Sequence, residues 1–441
     1  MEISTRELDG VLYFALHLAK RGVSTFLGDY MVNRTLEEIG QPVAYVEGDQ
    51  SLAMNSRILS DGGVVLNLNP EGLGFADDPP EVLENYVNVG KAASHICTWG
   101  QRQSEIIRDY LPEEQHHLLT VTGYHSFDLV NPDFVPYYRN ETLVKEFGTD
   151  LILMNTSFAT SNHKMGFGNY VKMLRRMDEW KVYNNPEFIS FLEKQYAYQT
   201  SIINSFIELA RTLAEKYPDR SVVIRPHPAE NRATYAGPLN DLGNVTVTTT
   251  GSVREWLAMA GTVIHHDCTT GLEGFLMGRN VIQYRPIFEE EFAAALLSAV
   301  GVEARSIDEV IAQMDVGTME TAMIATQLDA LRPYLANIDT KASAILADMV
   351  VDQACHLGDW KPERLDWWGQ AKCWRKYMSK LLRAHQPGHN GRKVRYALDK
   401  FPRTPLNEIQ RRLEGLRQVD TTLPPVTVSE LTLNTFLIGP V

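Results

Sequence analysis

Apolar positions along the chain fall into two successive series in which helical and extended patterns alternate. The segment "RELDGVLYFALHLAKRG" spaces its apolar residues as a helix does and stops at Gly22, a residue suited to closing a helix. Short apolar runs follow: "VSTFLG" (23–28), "VAYVEG" (43–48), "GVVLNLN" (63–69), "SHICTWG" (94–100) and "LLTVTG" (118–123). Most finish at Gly or Asn, as strands feeding the loops of an α/β domain do. The chain opens on a helix, whereas a doubly wound domain ordinarily opens on a strand.

A polar stretch, "NPDFVPYYRNETLVKEFG" (131–148), reads as a linker, and a second series begins at "LILMNTSF" (151–158). A helix is predicted over about 187–217, then strand "SVVIRPH", strand "NVTVTT" (244–249), helix "SVREWLAMA" (252–260), strand "TVIHHD" (262–267), helix 270–278 and strand "VIQYRP" (281–286). Alternation at this spacing predicts a parallel sheet with crossover helices. Beyond about residue 305 the pattern is helical, and an aromatic, basic tail follows. Two α/β halves predict two Rossmann-like domains facing across a cleft: 1–148, 149–330, and a helical, basic extension over 331–441.

In open α/β sheets ligands sit beyond the carboxyl ends of the strands, so the polar residues that end strands are the candidates for chemistry. "IHHDCTTGLEG" runs from a strand through Asp267, Cys268, Thr269, Thr270 and Gly271 into a helix with Glu273 in its first turn. Free N–H groups, hydroxyls and the positive helix end together form a phosphate-sized anion site, with Gly271 admitting a ligand to the backbone. Ordinary capping, with Thr269 or Thr270 as N-cap, explains the same residues. "VVIRPHPAE" ends its strand in Arg225 and His227 held between two prolines, with Glu230 just beyond. Arg225 can grip a phosphate bidentately and His227 can donate to one or protonate a leaving oxygen; a stiff solvated turn is the alternative. Glu71, in "LNLNPEGLG", is placed to act as general base on an acceptor hydroxyl, although a Pro-Glu-Gly turn is the commoner reading. Asp128 in "VTGYHSFDLV" is a weaker candidate, and Asn155, Thr156 and Ser157 in "MNTSFATSNH" suit hydrogen bonds to a polyol. The adjacent pairs His116-His117 and His265-His266 point to opposite faces of a strand and do not read as metal sites.

Composition narrows the class. A 44% hydrophobic, 22% charged chain is an ordinary soluble globular protein, and there is no uninterrupted apolar run of about 18 residues. The acidic, polar start does not read as a signal peptide. Four scattered cysteines without CxxC spacing fit a reduced, cytoplasmic protein. The net charge of −13 argues against nucleic acid as a partner. Yet ten Lys/Arg and one acid lie between Lys372 and Arg403, and "DWWGQAKCWRKYMSKLLRAH" mixes them with Trp, Leu and Met. That mixture is typical of segments that lie at a membrane surface, or of a helix packed back on the protein with a solvated basic face.

His227-Pro228, Thr269-Thr270 and Pro70-Glu71-Gly72 together resemble the His-Pro, Ser/Thr-pair and acidic-acidic-glycine motifs of bacterial surface-carbohydrate biosynthesis proteins. These are related to capsule Kdo transferases and, more distantly, to GT-B sialyltransferases. The likeness runs loosely from Arg6 to about Pro286, with proline at position 70 replacing the first acid. It implies an α/β, GT-B-like fold and a metal-independent glycosyltransferase using a CMP-activated acidic sugar, with no cofactor beyond the donor. His227, Thr269 and Thr270 would hold the donor phosphate, and Glu71 would be the acceptor-side base. For a retaining mechanism, Glu230 or Asp267 would be the nucleophile. The implied acceptor is a glycan or lipid-linked glycan, met by an enzyme on the inner face of the membrane. A CDP-polyol phosphotransferase of the teichoic-acid type and a non-catalytic nucleotide- or glycan-binding protein are the alternatives.

Overall fold

A computed structural model describes residues 4–28, 32, 35–36, 42–46, 52–70, 72, 83, 87–88, 90–176, 184–293, 296–357, 367–388, 391, 394–395, 398 and 401–441. Two compact units divide the chain. The first comprises residues 1–76, 86–129 and 333–441, and the second 77–85 and 130–332. Each carries a Rossmann-like parallel sheet, the α/β plan expected of a GT-B-like chain.

In the first unit, strands β2 (Ala44–Val46), β3 (Val64–Leu68), β4 (His95–Thr98) and β5 (Leu119–Val121) form a parallel sheet in that order. All five residues of β3 are buried, because parallel sheets are covered on both faces and their strands are continuous apolar runs. The run at 23–28 forms β1 (Thr25–Gly28) but does not join this sheet. It pairs antiparallel with β13 (Thr435–Pro440), which in turn pairs with β12 (Val426–Thr432). The last quarter of the chain, residues 333–441, thus folds within the first unit. It supplies the helices Ala342–Ala354, Trp367–Ala384 and Leu406–Val419, and then this hairpin. The opening helix, Ser4–Ala19, is buried along most of its length against two of them, Ala342–Ala354 and Leu406–Val419.

The second unit holds β6 (Leu151–Asn155), β7 (Val222–Arg225), β8 (Val245–Val247), β9 (Ala260–His265), β10 (Asn280–Tyr284) and β11 (Val302–Ala304), all parallel. Across the sheet the order is β8-β7-β6-β9-β10-β11. The chain therefore starts in the middle, winds one way, and returns to wind the other, as in dinucleotide-binding folds. One face packs Met154, Ile224 and Ile264 against Ile202, Phe206 and Leu209 of the long helix Pro186–Lys216. That helix starts where sequence rules place it: Asn185 accepts from the Glu187 N–H at 2.9 Å, and Pro186 takes the first helical position. The helix Val253–Met259 opens on a capping box between Ser252 and Glu255.

Residues 131–148, read from sequence as a linker, are folded into this unit as the helical turns Pro132–Phe134, Val135–Tyr138 and Glu141–Phe147. Phe134 and Tyr138 are buried, and Arg254 donates to the Tyr138 hydroxyl at 3.2 Å. Aromatic residues inside a polar stretch gave this segment a buried face that its overall polarity concealed.

Candidate active site

The chain direction across the second sheet reverses between β6 and β9, and that switch point is where an open α/β sheet leaves a crevice at its carboxyl edge. Register brings four strand-end residues into one row there. Asn155 pairs with Arg225 on one side and His265 on the other, and His265 pairs with Gln283. Paired residues in a sheet share a face, so all four lie on the face that carries the helix Thr269–Leu276. Asn155, His265 and Gln283 are almost wholly buried.

Within that row the Asn155 amide nitrogen is buried without a hydrogen-bond partner. A buried amide donor left unpaired costs about 1–3 kcal/mol, so a ligand acceptor at that atom would be favoured. Next to it, His265 accepts the Cys268 N–H through Nδ1 at 3.3 Å, which leaves the neutral ring's proton on Nε2. Burial pushes this imidazole down to about 4, so it stays neutral at physiological pH. His266 faces the other way, toward Phe158 and the hydroxyl of Tyr198 at 3.3 Å. The strand thus presents its two histidines to opposite sides of the sheet.

The helix begins at Thr269, with Cys268 as the N-cap, so neither threonine caps it as expected. The Thr270 hydroxyl donates to the Cys268 sulfur at 3.1 Å, and no side chain caps the helix start. The Thr270 backbone N–H is also directed at the Cys268 sulfur, and among the described residues no backbone carbonyl accepts from the Thr269 N–H, as the first turn of a helix requires. Gly271, expected to admit a ligand, has another function: a side chain there would collide with the His265 ring. Glu273 is held in a buried pair with Arg254 at 2.7 Å.

Several further candidates are already engaged within the protein. Arg225 is one of them. Its guanidinium donates to the Thr250 carbonyl at 2.6 Å and the Gly251 carbonyl at 3.2 Å and lies over the Trp256 ring, and desolvation pushes it down to about 10. Glu230, a candidate nucleophile, is buried and accepts five hydrogen bonds. They come from the Thr156 hydroxyl, the Phe158 and His227 N–H groups, the Asn162 amide and the Tyr235 hydroxyl, at 2.6–3.2 Å. Such a carboxylate ties together the two loops after β6 and β7. Asp267, the other candidate, sits in the left-handed region at φ 43° and accepts from Gln283 and Arg285, each at 2.7 Å. Both members of that ion pair are nearly inaccessible to solvent. Thr156 is turned to Glu230, and the Ser157 hydroxyl donates to the His266 carbonyl at 3.1 Å.

His227 is exposed on the β7 loop. Its Nδ1 accepts the Ala229 N–H at 3.2 Å, so the neutral ring carries its proton on Nε2, and Glu230 anchors its backbone. Beside it, an open depression of about 390 Å³ lies among the loops after β6, β7 and β8, lined by Lys164, Pro228, Glu230, Asn231, Arg232, Ala233 and Thr249. Lys164 and Arg232 give it cationic walls, and neither stood out in the sequence, where each is one charge in a polar loop. Among the described residues no group of three or more His, Cys, Asp or Glu is placed to hold a metal ion.

Two candidates remain. Asp128, in the first unit, accepts the Ala342 and Ser343 N–H groups at 2.8 and 2.7 Å and the Asn337 amide at 2.6 Å, so it caps the helix Ala342–Ala354. Glu71 lies outside the described residues. Its neighbour Gly72 packs flat against the Trp99 indole, whose Nε1 donates to the Asn69 carbonyl at 2.8 Å.

No family model and no curated protein sequence matches the chain. Solved structures resemble it remotely. One is the UDP-GlcNAc 2-epimerase from Neisseria meningitidis bound to UDP-GlcNAc, at 15% identity over 73% of this chain and 80% of that one, TM-score 0.42. Another is the wall teichoic acid polymerase TagF, at 11% identity over 71% and 72%, TM-score 0.41. A third is Anabaena HepE in complex with UDP-glucose, at 11% identity over 74% and 80%, TM-score 0.35. None of these similarities assigns chemistry to a residue of this chain.

Proposed function

We propose that the protein is a nucleotide-sugar-dependent glycosyltransferase of surface-polysaccharide synthesis whose donor phosphate is held at the switch point of the second unit. The observation that carries this reading is the buried, unpartnered Asn155 amide on the strand next to the start of the helix Thr269–Leu276. Amide and backbone N–H donors with a helix dipole behind them stabilise a phosphate's charge without having to reorganise.

In this reading the acceptor hydroxyl attacks the anomeric carbon as the bond from that carbon to the phosphate oxygen breaks. The electron pair leaves with the nucleotide, whose growing charge is met by the donors above and by His227 Nε2–H. The acceptor proton passes to a base, for which the sequence offers Glu71. Glu230 and Asp267, held by buried hydrogen bonds and an ion pair, act as positioning residues. Lys164 and Arg232 supply charge for a second anionic group of the donor. The resemblance carried by His227-Pro228 and Thr269-Thr270 favours a CMP-linked acidic sugar.

A thermal-shift panel of CMP, CDP, UDP and GDP on the wild-type chain and on Asn155→Ala tests the proposal. A selective CMP response that weakens about tenfold in the variant supports it, a loss equivalent to one good hydrogen bond. A UDP response removes the CMP assignment. No response to any nucleotide, or one indifferent to Asn155, overturns the site.

A further inference from the structure

The helix Trp367–Ala384 of the first unit has one face packed and one face bare. Gly369, Cys373, Tyr377, Lys380 and Ala384 are buried, toward β12 and Leu433. On the outward side Trp367 is 66% exposed, Trp374 51%, Met378 43% and Leu382 68%. At about 100° per residue these four fall within an arc of about 80°, opposite the packed face. Trp368, 60% exposed, stacks on Trp367 at 4.0 Å and widens the apolar surface.

Scattered exposed apolar residues need no explanation, but a continuous stripe of large ones does. Charge identifies what covers this one. The helix contains five Lys/Arg and no acid, in a chain of net charge −13. Lys372, Arg375 and Arg383 are exposed on the shoulder beside the stripe. Indole rings with cations at their flank match the boundary between lipid headgroups and acyl chains, where the ring is half-buried and the cations meet anionic headgroups. Among the described residues no helix is long and apolar enough to cross a membrane, so such a helix lies along the surface.

We infer that Trp367–Ala384 is a peripheral docking surface for an anionic lipid bilayer. This goes beyond the transferase reading and does not depend on it.

Flotation of the full-length protein with vesicles of phosphatidylcholine alone, or with about 30% phosphatidylglycerol, tests the inference, because surface charge raises the affinity of basic segments. The wild type floats with the anionic vesicles, at least tenfold more than with neutral ones, and is released by high salt. Met378→Glu with Leu382→Glu, both at exposed positions, lowers flotation at least tenfold while the melting temperature and nucleotide response stay unchanged. Absence of flotation with anionic vesicles overturns the inference. So does equal flotation of the double variant, or a wild-type dimer that the variant converts to monomer without any vesicle binding, which would make the stripe a contact between copies of the chain.

Discussion

The imidazole of His265 occupies the space that a side chain on Gly271 would need. His265 ends β9, and Gly271 lies in the first turn of the helix that crosses back over it, so the glycine sets how closely helix and sheet approach. Gly271→Ala gains up to about 1 kcal/mol of helix propensity, but overpacking against a buried ring costs about 1–3 kcal/mol. Net destabilisation of about 1–2 kcal/mol is expected in urea unfolding. In a His265→Ala background the penalty should vanish, because the colliding ring is gone. Additive effects in that double-mutant cycle would show that the two do not meet.

Glu230→Gln separates a positioning carboxylate from a nucleophile. Glutamine keeps one acceptor oxygen for the His227 and Phe158 N–H groups, while Asn162 and the Tyr235 hydroxyl must reverse to accept from its amide. A loss of about 1–3 kcal/mol is expected, with at least a tenth of the turnover retained. Glu230→Ala strands buried backbone donors and should cost more. Abolished turnover at unchanged stability in Glu230→Gln would restore the nucleophile.

Much of the second sheet is legible in the sequence, for a physical reason. Strands covered on both faces must be continuous apolar runs, so β6, β7, β9 and β10 appear in the sequence within a few residues of their ends. Strand order is not local information. Nothing near Asn155 reveals that it lies between Arg225 and His265, or that β1 pairs with β13 some four hundred residues later. The candidate residues follow the same division. Sequence finds strand ends, but whether a polar side chain there is open or already bonded depends on partners brought in by the fold. Glu230 takes donors from Thr156, Phe158 and Asn162, about seventy residues away. Arg225 looks like an anion ligand until the turn at Thr250 and Gly251 closes over its guanidinium.

Arg225→Lys tests that last assignment. Lysine keeps the charge but loses the planar fork that reaches two carbonyls and the stacking over Trp256. Stability should fall by about 1–2 kcal/mol, with nucleotide affinity changed less than threefold. A tenfold weaker nucleotide response at an unchanged melting temperature would return Arg225 to the phosphate.

Acid sensitivity should come from two buried histidines, one in each unit. Burial pushes both His17 and His265 down to about 4. Around His17, the charge of Asp420 opposes that shift while Lys341, Arg21 and Lys20 reinforce it. Around His265, Asp267 opposes it, and His266 and Arg285 reinforce it. A group with a depressed pKa binds fewer protons folded than unfolded between the two values. Unfolded chains take up the proton below about 6.5, the native state only near 4, so stability is lost as pH falls through that window. Each histidine should contribute a loss of about 2 kcal/mol between about pH 7 and pH 5. Urea unfolding across this range checks the slope, and His17→Asn and His265→Asn should each flatten it by one histidine's share. A slope that neither variant changes would mean that other groups, such as the carboxylates that protonate at lower pH, govern the acid response.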